Sequence, residues 1–427
     1  RDWYKLSSAN VAGAALTNPS RLMLDPVGRQ VLRGDVLGDF NIRSNDRSYY
    51  LAGIQSDLSH AFETGDVAHD VQLGARFHAD QIDREQDQAI FENVFAGDFD
   101  NPTRIEGPDI AGDREQTSTA IALYLRDTLT VGRLTLTPGI RYEHIWYDFI
   151  RRDSRTPAEE EAGSYGVWAP GIGAEYELTD TTAVFGGYHR GFSVPSPSGR
   201  SGGLDEEISD TFELGGRYQG SQSVYAEVVG FYTFFSDLIV EDSISGGRGS
   251  EGNVGEVESL GLELLVGADL GEIAGLPFGI PVRATATYTD ATIVSTSDSS
   301  DAESIFAVGE EGNRVPYIPE WQVNLSAGIE FDRFRAFANL TWVDTRFADA
   351  RNSSAQVDAN GTPDSRFGQL DAFTTIDLSA EYDVRDNLQV FGRVTNLFDE
   401  TYVTSRLPLG PRAGAPRLIS GGVRVTF

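Results

Sequence analysis

The sequence predicts an all-β protein, a transmembrane antiparallel up-and-down β-barrel, and three observations support that prediction. Its candidate strands alternate apolar and polar residues, they have the length of a bilayer crossing, and short connections between them alternate with long ones. The last strand, residues 417–427, has two distinct faces, with Ile419, Val423, Val425 and Phe427 on one and Ser420, Gly422, Arg424 and Thr426 on the other. This is the pattern of a strand between lipid and an aqueous lumen.

Two upstream stretches repeat the alternation with a membrane's dimensions. Residues 374–382 place Ile376, Leu378 and Tyr382 on one face, and residues 321–331 do the same with an apolar row from Trp321 to Phe331. Each row extends over roughly nine to eleven residues, the length that a tilted strand needs to cross a bilayer. Soluble sandwiches also alternate, but the aromatic residues at both ends of these rows favour a membrane barrel.

Taken in order, the chain contains about sixteen candidate strands with turns on one side and loops on the other. The short connections lie near residues 63–66, 130–132, 178–181, 219–222, 270–277, 332–333 and 383–387. The long connections are residues 7–46, 84–115, 150–164, 192–207, 242–254, 294–316, 349–369 and 397–416. Strict alternation is typical of an up-and-down barrel, whereas a sandwich has no reason to produce it.

Composition excludes several other classes of protein. A net charge of -31 offers no basic face to neutralise phosphates, so we expect no nucleic-acid partner. The chain has no cysteine, which excludes disulfides and thiolate metal sites. No run of about eighteen apolar residues occurs, so the sequence contains no α-helical membrane span. Residues 84–115 are rich in acids; we interpret them as a solvated loop, the alternative being a segment that binds surface lipid through divalent cations.

Aromatic and charged residues predict the orientation and interior of the barrel. With the turns on the periplasmic side, Trp146, Trp321 and Trp342 lie at the outer interface, and Tyr218, Phe334, Tyr382 and Phe427 at the inner one. Charges on the other face, such as Arg141 and Glu143, indicate a lumen that holds water or a polar plug. Asp377 and Arg393 face each other across a short turn, and we expect an ion pair there.

Ordered motifs over residues 115–427 resemble those of the TonB-dependent outer-membrane receptors. The sequence VTNLFDETY at 394–402, then GAPR at 414–417 and the terminal Phe427, is similar to the carboxyl-terminal signature of that family. Further upstream, YHRGFSVPS at 188–196 and the ELG of residues 213–215, followed by residues 231–239, match in the expected order. Residues 253–255, 261–263 and 314–319 fit the same pattern, and the opening residues 1–10 look most like the ferric dicitrate type.

The resemblance implies a barrel of about 22 strands filled by an amino-terminal plug with a TonB box. We therefore interpret residues 1–427, which begin at Arg1 without a methionine, as a partial receptor barrel that lacks the plug and about six strands. The implied protein is a monomer in the outer membrane of a Gram-negative bacterium. Its implied partners are the TonB complex, a ferric chelate, membrane lipid and lipopolysaccharide, and the barrel assembly machinery, for which Phe427 is the expected signal.

The favoured function is TonB-dependent import of a ferric siderophore such as ferric citrate, with iron present only in the transported chelate and no resident cofactor. Guanidinium groups pair well with the carboxylates of such a chelate. The candidate ligand-binding residues are the arginines on or beside the long loops, namely Arg151, Arg152, Arg190, Arg200, Arg346, Arg406 and Arg412. The alternative for each of them is an arginine that is merely solvated on its loop.

Other functions are weighed on the same residues. A passive porin is the main alternative, since about sixteen strands is a porin-like number, and receptors for vitamin B12, haem or carbohydrate share the architecture. The histidines His60, His69, His78, His144 and His189 show no metal-ligand spacing. Ser193 is not in a nucleophile elbow, so we expect no catalytic residues and no enzyme.

Overall fold

The computed structural model describes residues 3–8, 23–33, 35–36, 38–85, 88–94, 103–104, 113–152, 158–221, 223–241, 251–253, 255–296, 305–407 and 410–426. The helices are α1 (Pro26–Arg33), α2 (Pro197–Ser201) and α3 (Leu270–Ile273). The strands are β1 (Trp3–Ser8), β2 (Gly38–Thr64), β3 (Val67–Glu85), β4 (Gln88–Val94), β5 (Thr103–Arg104), β6 (Arg114–Val131), β7 (Leu134–Arg151), β8 (Glu159–Thr179), β9 (Thr182–Ser193), β10 (Glu207–Ser221), β11 (Val224–Ser236), β12 (Ile239–Glu241), β13 (Glu251–Asn253), β14 (Gly255–Asp269), β15 (Pro281–Thr296), β16 (Trp321–Phe331), β17 (Phe334–Val343), β18 (Arg346–Phe347), β19 (Gln369–Leu370), β20 (Phe373–Arg385), β21 (Leu388–Thr395), β22 (Val403–Ser405), β23 (Arg412–Ala413) and β24 (Leu418–Val425).

The wall of the barrel is one antiparallel sheet in which long strands pair in chain order. Fifteen strands follow one another as β2, β3, β6, β7, β8, β9, β10, β11, β14, β15, β16, β17, β20, β21 and β24. The predicted up-and-down topology is confirmed, with a strand number close to the expected one.

The sheet has additional strands at its amino-terminal end. Strands β1 and β4 both pair with residues 38–45 of β2, and β5 pairs with β4, which brings the sheet to 18 strands. Among the described residues, β24 pairs only with β21, and residues 46–64 of β2 pair only with β3. The two ends of the wall therefore each present a free strand edge.

Connections alternate in length as the sequence predicts. Two-residue turns join β2 to β3, β6 to β7, β16 to β17 and β20 to β21, and the first two use Gly65 and Gly132 at φ 64° and 60°. On the opposite side, the long connections contain α2 and the short hairpins β12–β13, β18–β19 and β22–β23. None of the helices in the described ranges is long and apolar enough to cross a membrane.

The two faces of the wall differ in the way that the alternation requires. Exposed aliphatic and aromatic side chains line one face, for example Phe212 and Leu214 on β10 beside Leu260 and Leu262 two strands away. On the opposite face of β10, buried Thr211 shares a hydrogen bond of 3.0 Å with Thr233. The apolar face is the lipid-facing one, because it leaves large side chains without protein cover along entire strands.

Aromatic residues mark both ends of the lipid-facing surface. Trp146 and Trp321 are exposed towards the loop side, and Tyr218, Phe334 and Tyr382 are exposed at the turn ends of their strands. These positions agree with the two predicted interfacial belts. Phe427 lies outside the described residues.

An enclosed apolar cluster lies at the loop ends of β14 and β15. Val257, Ala291 and Ile293 are buried there together with Val315 and Ala350, which belong to two different loops. The loops are thus folded onto the wall through an apolar core, which positions the mouth of the barrel.

Candidate functional site

The candidate site is built from three loops, which we call the mouth module: residues 305–320, residues 344–372, and residues 396–407 with 410–417. The β18–β19 and β22–β23 hairpins give it two small sheets of its own. Ala348, Ala350, Phe367 and Leu370 are almost completely buried inside it. Such burial in connecting segments shows that the mouth module is a packed structure.

Acid–arginine pairs two residues apart fold the centre of the module. Asp364 and Arg366 form a fork-shaped ion pair with a shortest distance of 2.6 Å, and both side chains are at least 95 % buried. Asp349 accepts from Arg351 Nε at 3.1 Å and, through its other oxygen, from the Gly368 backbone N–H at 3.2 Å. Each carboxylate therefore holds both an arginine and the local backbone, which fixes the loop.

Arg406 connects the third loop to the second through carbonyl oxygens. Its guanidinium donates to Gln369 O from Nε and Nη2, at 3.3 and 3.1 Å, and to Ser365 O from Nη1 at 3.1 Å. No ion pair of Arg406 is present among the described residues. Burial lowers the pKa of Arg406, and Tyr317 and the Asp371 charge oppose that shift.

Arg346 keeps one donor without a partner. Its Nη2 donates to Thr404 O at 3.0 Å, and its guanidinium lies 5.8 Å from the centre of the Phe373 ring. The side chain is exposed by only 7 %, and Nη1 has no hydrogen-bond partner among the described residues. Burial lowers the pKa of Arg346, and Tyr317 opposes that shift. A buried cation with an unused donor is a position at which an anion would be favourable.

Tyr317 stands between the two buried arginines and joins the first loop to the others. Its backbone lies in the left-handed region at φ 66°, which a non-glycine residue rarely adopts. The backbone N–H donates to Phe347 O at 2.8 Å, and the phenol oxygen accepts from the Arg406 N–H at 3.3 Å. Burial raises the pKa of Tyr317, so the hydroxyl stays protonated beside the two arginines.

Four other predicted ligand-binding arginines already have carboxylate partners. Arg152 pairs with Glu115 at 3.0 Å, and Arg200 with Glu206 at 3.1 Å and Asp205 at 3.3 Å. Arg151 pairs with Glu159, although its buried Nε has no hydrogen-bond partner within the described ranges. Each of these three arginines is therefore already neutralised by a carboxylate of this chain.

Arg190, the fourth of them, lies on a different face of the wall from the one expected of a ligand contact. It binds Asp210 through two hydrogen bonds of 2.9 and 2.8 Å. In the register of β9 and β10, the pair shares a face with lipid-exposed Phe212. Arg412 is exposed on β23, in the same module as Arg346 and Arg406.

The lumen face carries ion pairs, one of which the sequence predicts. Arg393 contacts Asp377 at 3.0 Å, as the sequence predicts, and Arg141 contacts Glu143 at 2.6 Å. Arg335 bridges Asp383 at 3.2 Å and Glu381 at 3.5 Å on the neighbouring strand. These contacts place opposite charges side by side on the lumen face of the wall.

Sequence reasoning identified the motif around Asn396 but not the role of that residue. Asn396 is 2 % exposed at φ 49°, donates from Nδ2 to Glu400 O and Ala415 O, both at 2.9 Å, and accepts from the Glu400 N–H at 2.9 Å. Its backbone N–H reaches Asp377 at 2.9 Å. The sequence analysis also did not predict the roles of Tyr317, Asp349 and Asp364. For Tyr317 a signal was available, because it lies between two prolines in RVPYIP.

Comparisons with known proteins agree with this architecture. The wall is similar to the crystal structure of the unliganded ferric citrate transporter FecA, at 23 % identity and a TM-score of 0.73 over 91 % of this chain and 58 % of that one. It is also similar to the ferric-catecholate import receptor Fiu from K12 E. coli (18 %, TM-score 0.66, 92 % and 62 %) and to the siderophore receptor PiuA from Acinetobacter baumannii (16 %, 0.68, 91 % and 62 %). At these identities the likeness shows the fold.

The matches to curated relatives extend over a smaller part of the chain. The vitamin B12 transporter BtuB of Photobacterium profundum is 25 % identical over 260 residues, which are 58 % of this chain and 36 % of that protein. BtuB of Vibrio vulnificus is 35 % identical over 107 residues, 25 % of this chain and 17 % of that protein. The chain thus spans well under half of these relatives.

One family model extends over nearly the whole wall. The TonB dependent receptor-like β-barrel model matches residues 4–397, which include every wall strand except β24. The chain therefore belongs to the TonB-dependent receptor-like β-barrel family.

Proposed function

We propose that the full-length protein imports a ferric chelate of the citrate type across the outer membrane, driven by the TonB complex. Family membership and the fold shared with the ferric citrate transporter FecA support this proposal. The single observation within the site that supports an anionic ligand is the unpaired, buried Nη1 of Arg346. Because four of the other candidate arginines are already paired with carboxylates, Arg346 is the mouth residue most able to gain from a carboxylate of the ligand.

The mouth module would hold the chelate by several weak contacts, and no bond of the ligand would be made or broken. Iron is cargo within the chelate, and the buried acids Asp349 and Asp364 are engaged by arginines and backbone groups. The family is one of receptors and transporters rather than enzymes. Arg346, Arg406 and Arg412 belong to one module, and we propose them as its ligand-binding arginines; Arg151, Arg152, Arg190 and Arg200, each paired with a carboxylate, are the second set of candidates.

The remaining components are part of the same proposal. A plug domain with a TonB box, outside this chain, would transmit the pull that opens the lumen. The lipid-facing wall and its aromatic belts support a monomer in the outer membrane, surrounded by lipid and lipopolysaccharide. Phe427 would act as the signal for the barrel assembly machinery.

The test is binding of ferric citrate by the full-length protein in detergent, measured by titration calorimetry. Losing a charge-assisted hydrogen bond of roughly 1.5–3 kcal/mol should weaken binding about 10- to 150-fold in Arg346→Met. Arg133→Met is the matched control, because Arg133 lies in a turn on the opposite side, where it pairs with exposed Asp180. Equal affinity in both variants would remove Arg346 from the site.

A corrinoid ligand is the second candidate, since the two relatives from Photobacterium profundum and Vibrio vulnificus are vitamin B12 transporters. Titration with cyanocobalamin under the same conditions separates the two ligands. Cobalamin binding without ferric citrate binding would overturn the ligand class and keep the importer. Haem and carbohydrate are the next ligands to titrate.

A passive pore is the remaining alternative, and conductance distinguishes it. In planar bilayers we expect the full-length protein to be nearly closed, because a receptor lumen is plugged until TonB acts. Steady single-channel conductance without TonB would instead identify a porin.

A further inference from the structure

One connection on the turn side differs from its neighbours. Two-residue turns join the strand pairs there, but β14 and β15 are joined by residues 270–280, which begin with α3. Its sequence, LGEIAGLPFGI, contains one ionisable residue, Glu272. The connection is thus an apolar projection from the rim of the barrel.

The projection is rigid. The Asp269 carboxylate accepts from the N–H groups of Gly271 at 2.9 Å, Glu272 at 3.2 Å and Ile280 at 2.9 Å. Gly271 has no room for a side chain, because a Cβ there would overlap the Phe278 carbonyl oxygen. Gly275 adopts φ 66°, and Leu276 N–H closes the turn onto Gly271 O at 2.8 Å. The apolar side chains therefore cannot be withdrawn without unfolding the turn.

Three large apolar side chains of this connection have little protein cover. Leu270 is 45 % exposed, Ile273 is 59 % exposed and Leu276 is 41 % exposed. Leu270 and Ile273 are three residues apart on α3 and share a face. Leaving such side chains in water is unfavourable, and a fixed, exposed apolar surface marks a contact with another phase or molecule.

The patch continues the lipid-facing surface of the wall. Gly279 and Glu330 exchange two backbone hydrogen bonds of 2.9 Å, which places Phe278 opposite Phe331 in the register of β15 and β16. The two rings meet edge to face with centroids 6.3 Å apart, and Phe331 is exposed to lipid on the turn-side aromatic belt. Residues 270–278 therefore extend directly from the belt.

We propose that residues 270–278 form a membrane foot, which rests with Leu270, Ile273 and Leu276 in the headgroup layer of the turn-side leaflet. Under the proposed orientation this is the periplasmic leaflet of the outer membrane. The apolar face of an interfacial segment lies roughly 5–10 Å into the boundary between headgroups and acyl chains. The occupant of the patch is thus phospholipid, and the foot anchors the rim between β14 and β15.

The test uses the natural absence of cysteine in residues 1–427. Single variants Ile273→Cys and Asp386→Cys of the full-length protein are labelled with an environment-sensitive fluorophore and reconstituted in phosphatidylethanolamine and phosphatidylglycerol vesicles. Asp386 is the control because it lies in the β20–β21 turn on the same side, with its side chain 99 % exposed. Glu272→Cys is a second control on another face of the same turn.

We expect shallow brominated lipids to quench the Ile273 label at least about twofold more than the Asp386 and Glu272 labels, with the reverse order for aqueous iodide. Equal quenching of all three labels by iodide would overturn the proposal. An Ile273 label shielded from both quenchers would also overturn it, because a protein would then cover the patch. The outcome is independent of the transported ligand.

Discussion

Asn396 illustrates how one side chain can carry a sequence motif. Its amide holds the turn at 396–400 to Ala415, 19 residues further along, while its backbone occupies the left-handed region. The neighbouring Asp399, also at positive φ, accepts from the Arg417 N–H at 2.8 Å. The NLFD segment and the following GAPR segment therefore form one structural unit that aligns β24 with β21.

Replacing Asn396 tests this role. Asn396→Ala removes three side-chain hydrogen bonds and strains the backbone, and we expect a loss of about 2–4 kcal/mol in the free energy of unfolding. Asn396→Gly tolerates the positive φ and should lose about 1 kcal/mol less. Urea unfolding in lipid vesicles measures both. Equal stability of the alanine variant and the unmodified protein would contradict the assignment.

The Asp364–Arg366 pair is the second residue-scale feature that can be tested. Asp364→Asn leaves a buried guanidinium without its counter-charge, and breaking such pairs costs about 3–5 kcal/mol. Since the pair belongs to a loop, we expect faster amide hydrogen exchange in residues 364–370 with little change in the wall strands. The control is Asp180→Asn, which opens the exposed pair with Arg133 and should leave exchange unchanged. If residues 364–370 exchange equally fast in Asp364→Asn and in the unmodified protein, the pair does not hold the loop.

At the scale of elements, aromatic rings on one strand pack over glycines on the adjacent strand. Phe231 on β11 lies across Gly261 on β14, Phe337 across Gly328, and Phe391 across Gly422. A bare glycine weakens a strand, and a neighbouring ring that covers it restores packing. This arrangement accounts for many glycines in a chain that contains 46 of them.

Two glycine-to-alanine substitutions in neighbouring strands test whether the lack of space for a side chain, and not the backbone freedom of glycine, is what matters. A Cβ at Gly261 would overlap the Phe231 ring and approach the Tyr288 carbonyl oxygen to 2.5 Å, whereas at Gly230 the nearest atoms are at 3.9 and 4.0 Å. We expect Gly261→Ala to lower the yield of folded barrel severely, since overpacking costs typically about 1–3 kcal/mol. Gly230→Ala should fold normally. Heat-modifiable migration in gels measures the folded fraction, and equal yields would refute the steric argument.

The strands could be predicted from the sequence because the alternation of side chains and the turn length are local properties of the chain. The period of two and the short turn at 383–387 fix the register of β20 and β21, which is why the Asp377–Arg393 pair could be foreseen. The mouth module could not be foreseen. Tyr317, Arg346 and Arg406 lie up to 89 residues apart, and their contacts depend on how three loops pack. Asp210, the partner of Arg190, likewise becomes visible only when β9 and β10 are paired.

For the molecule as a whole, the free edges of β2 and β24 have a thermodynamic consequence. Unpaired backbone groups in a bilayer cost several kcal/mol each, so a membrane barrel has to close. We therefore expect residues 1–427, expressed alone, to give no heat-resistant folded form in detergent. The full-length protein is the matched control, and a stable folded form of residues 1–427 would contradict the expectation.

The contact between glycines and rings also limits which substitutions this wall can accept during evolution. A larger residue at Gly422 is admissible only if Phe391 has already become small, and a small residue at 391 removes the reason for keeping the glycine. Neither position can drift independently, so the two should mutate as a couple. Among homologues we expect correlated exchange at 391 and 422, a statistical record of strand adjacency that needs no coordinates.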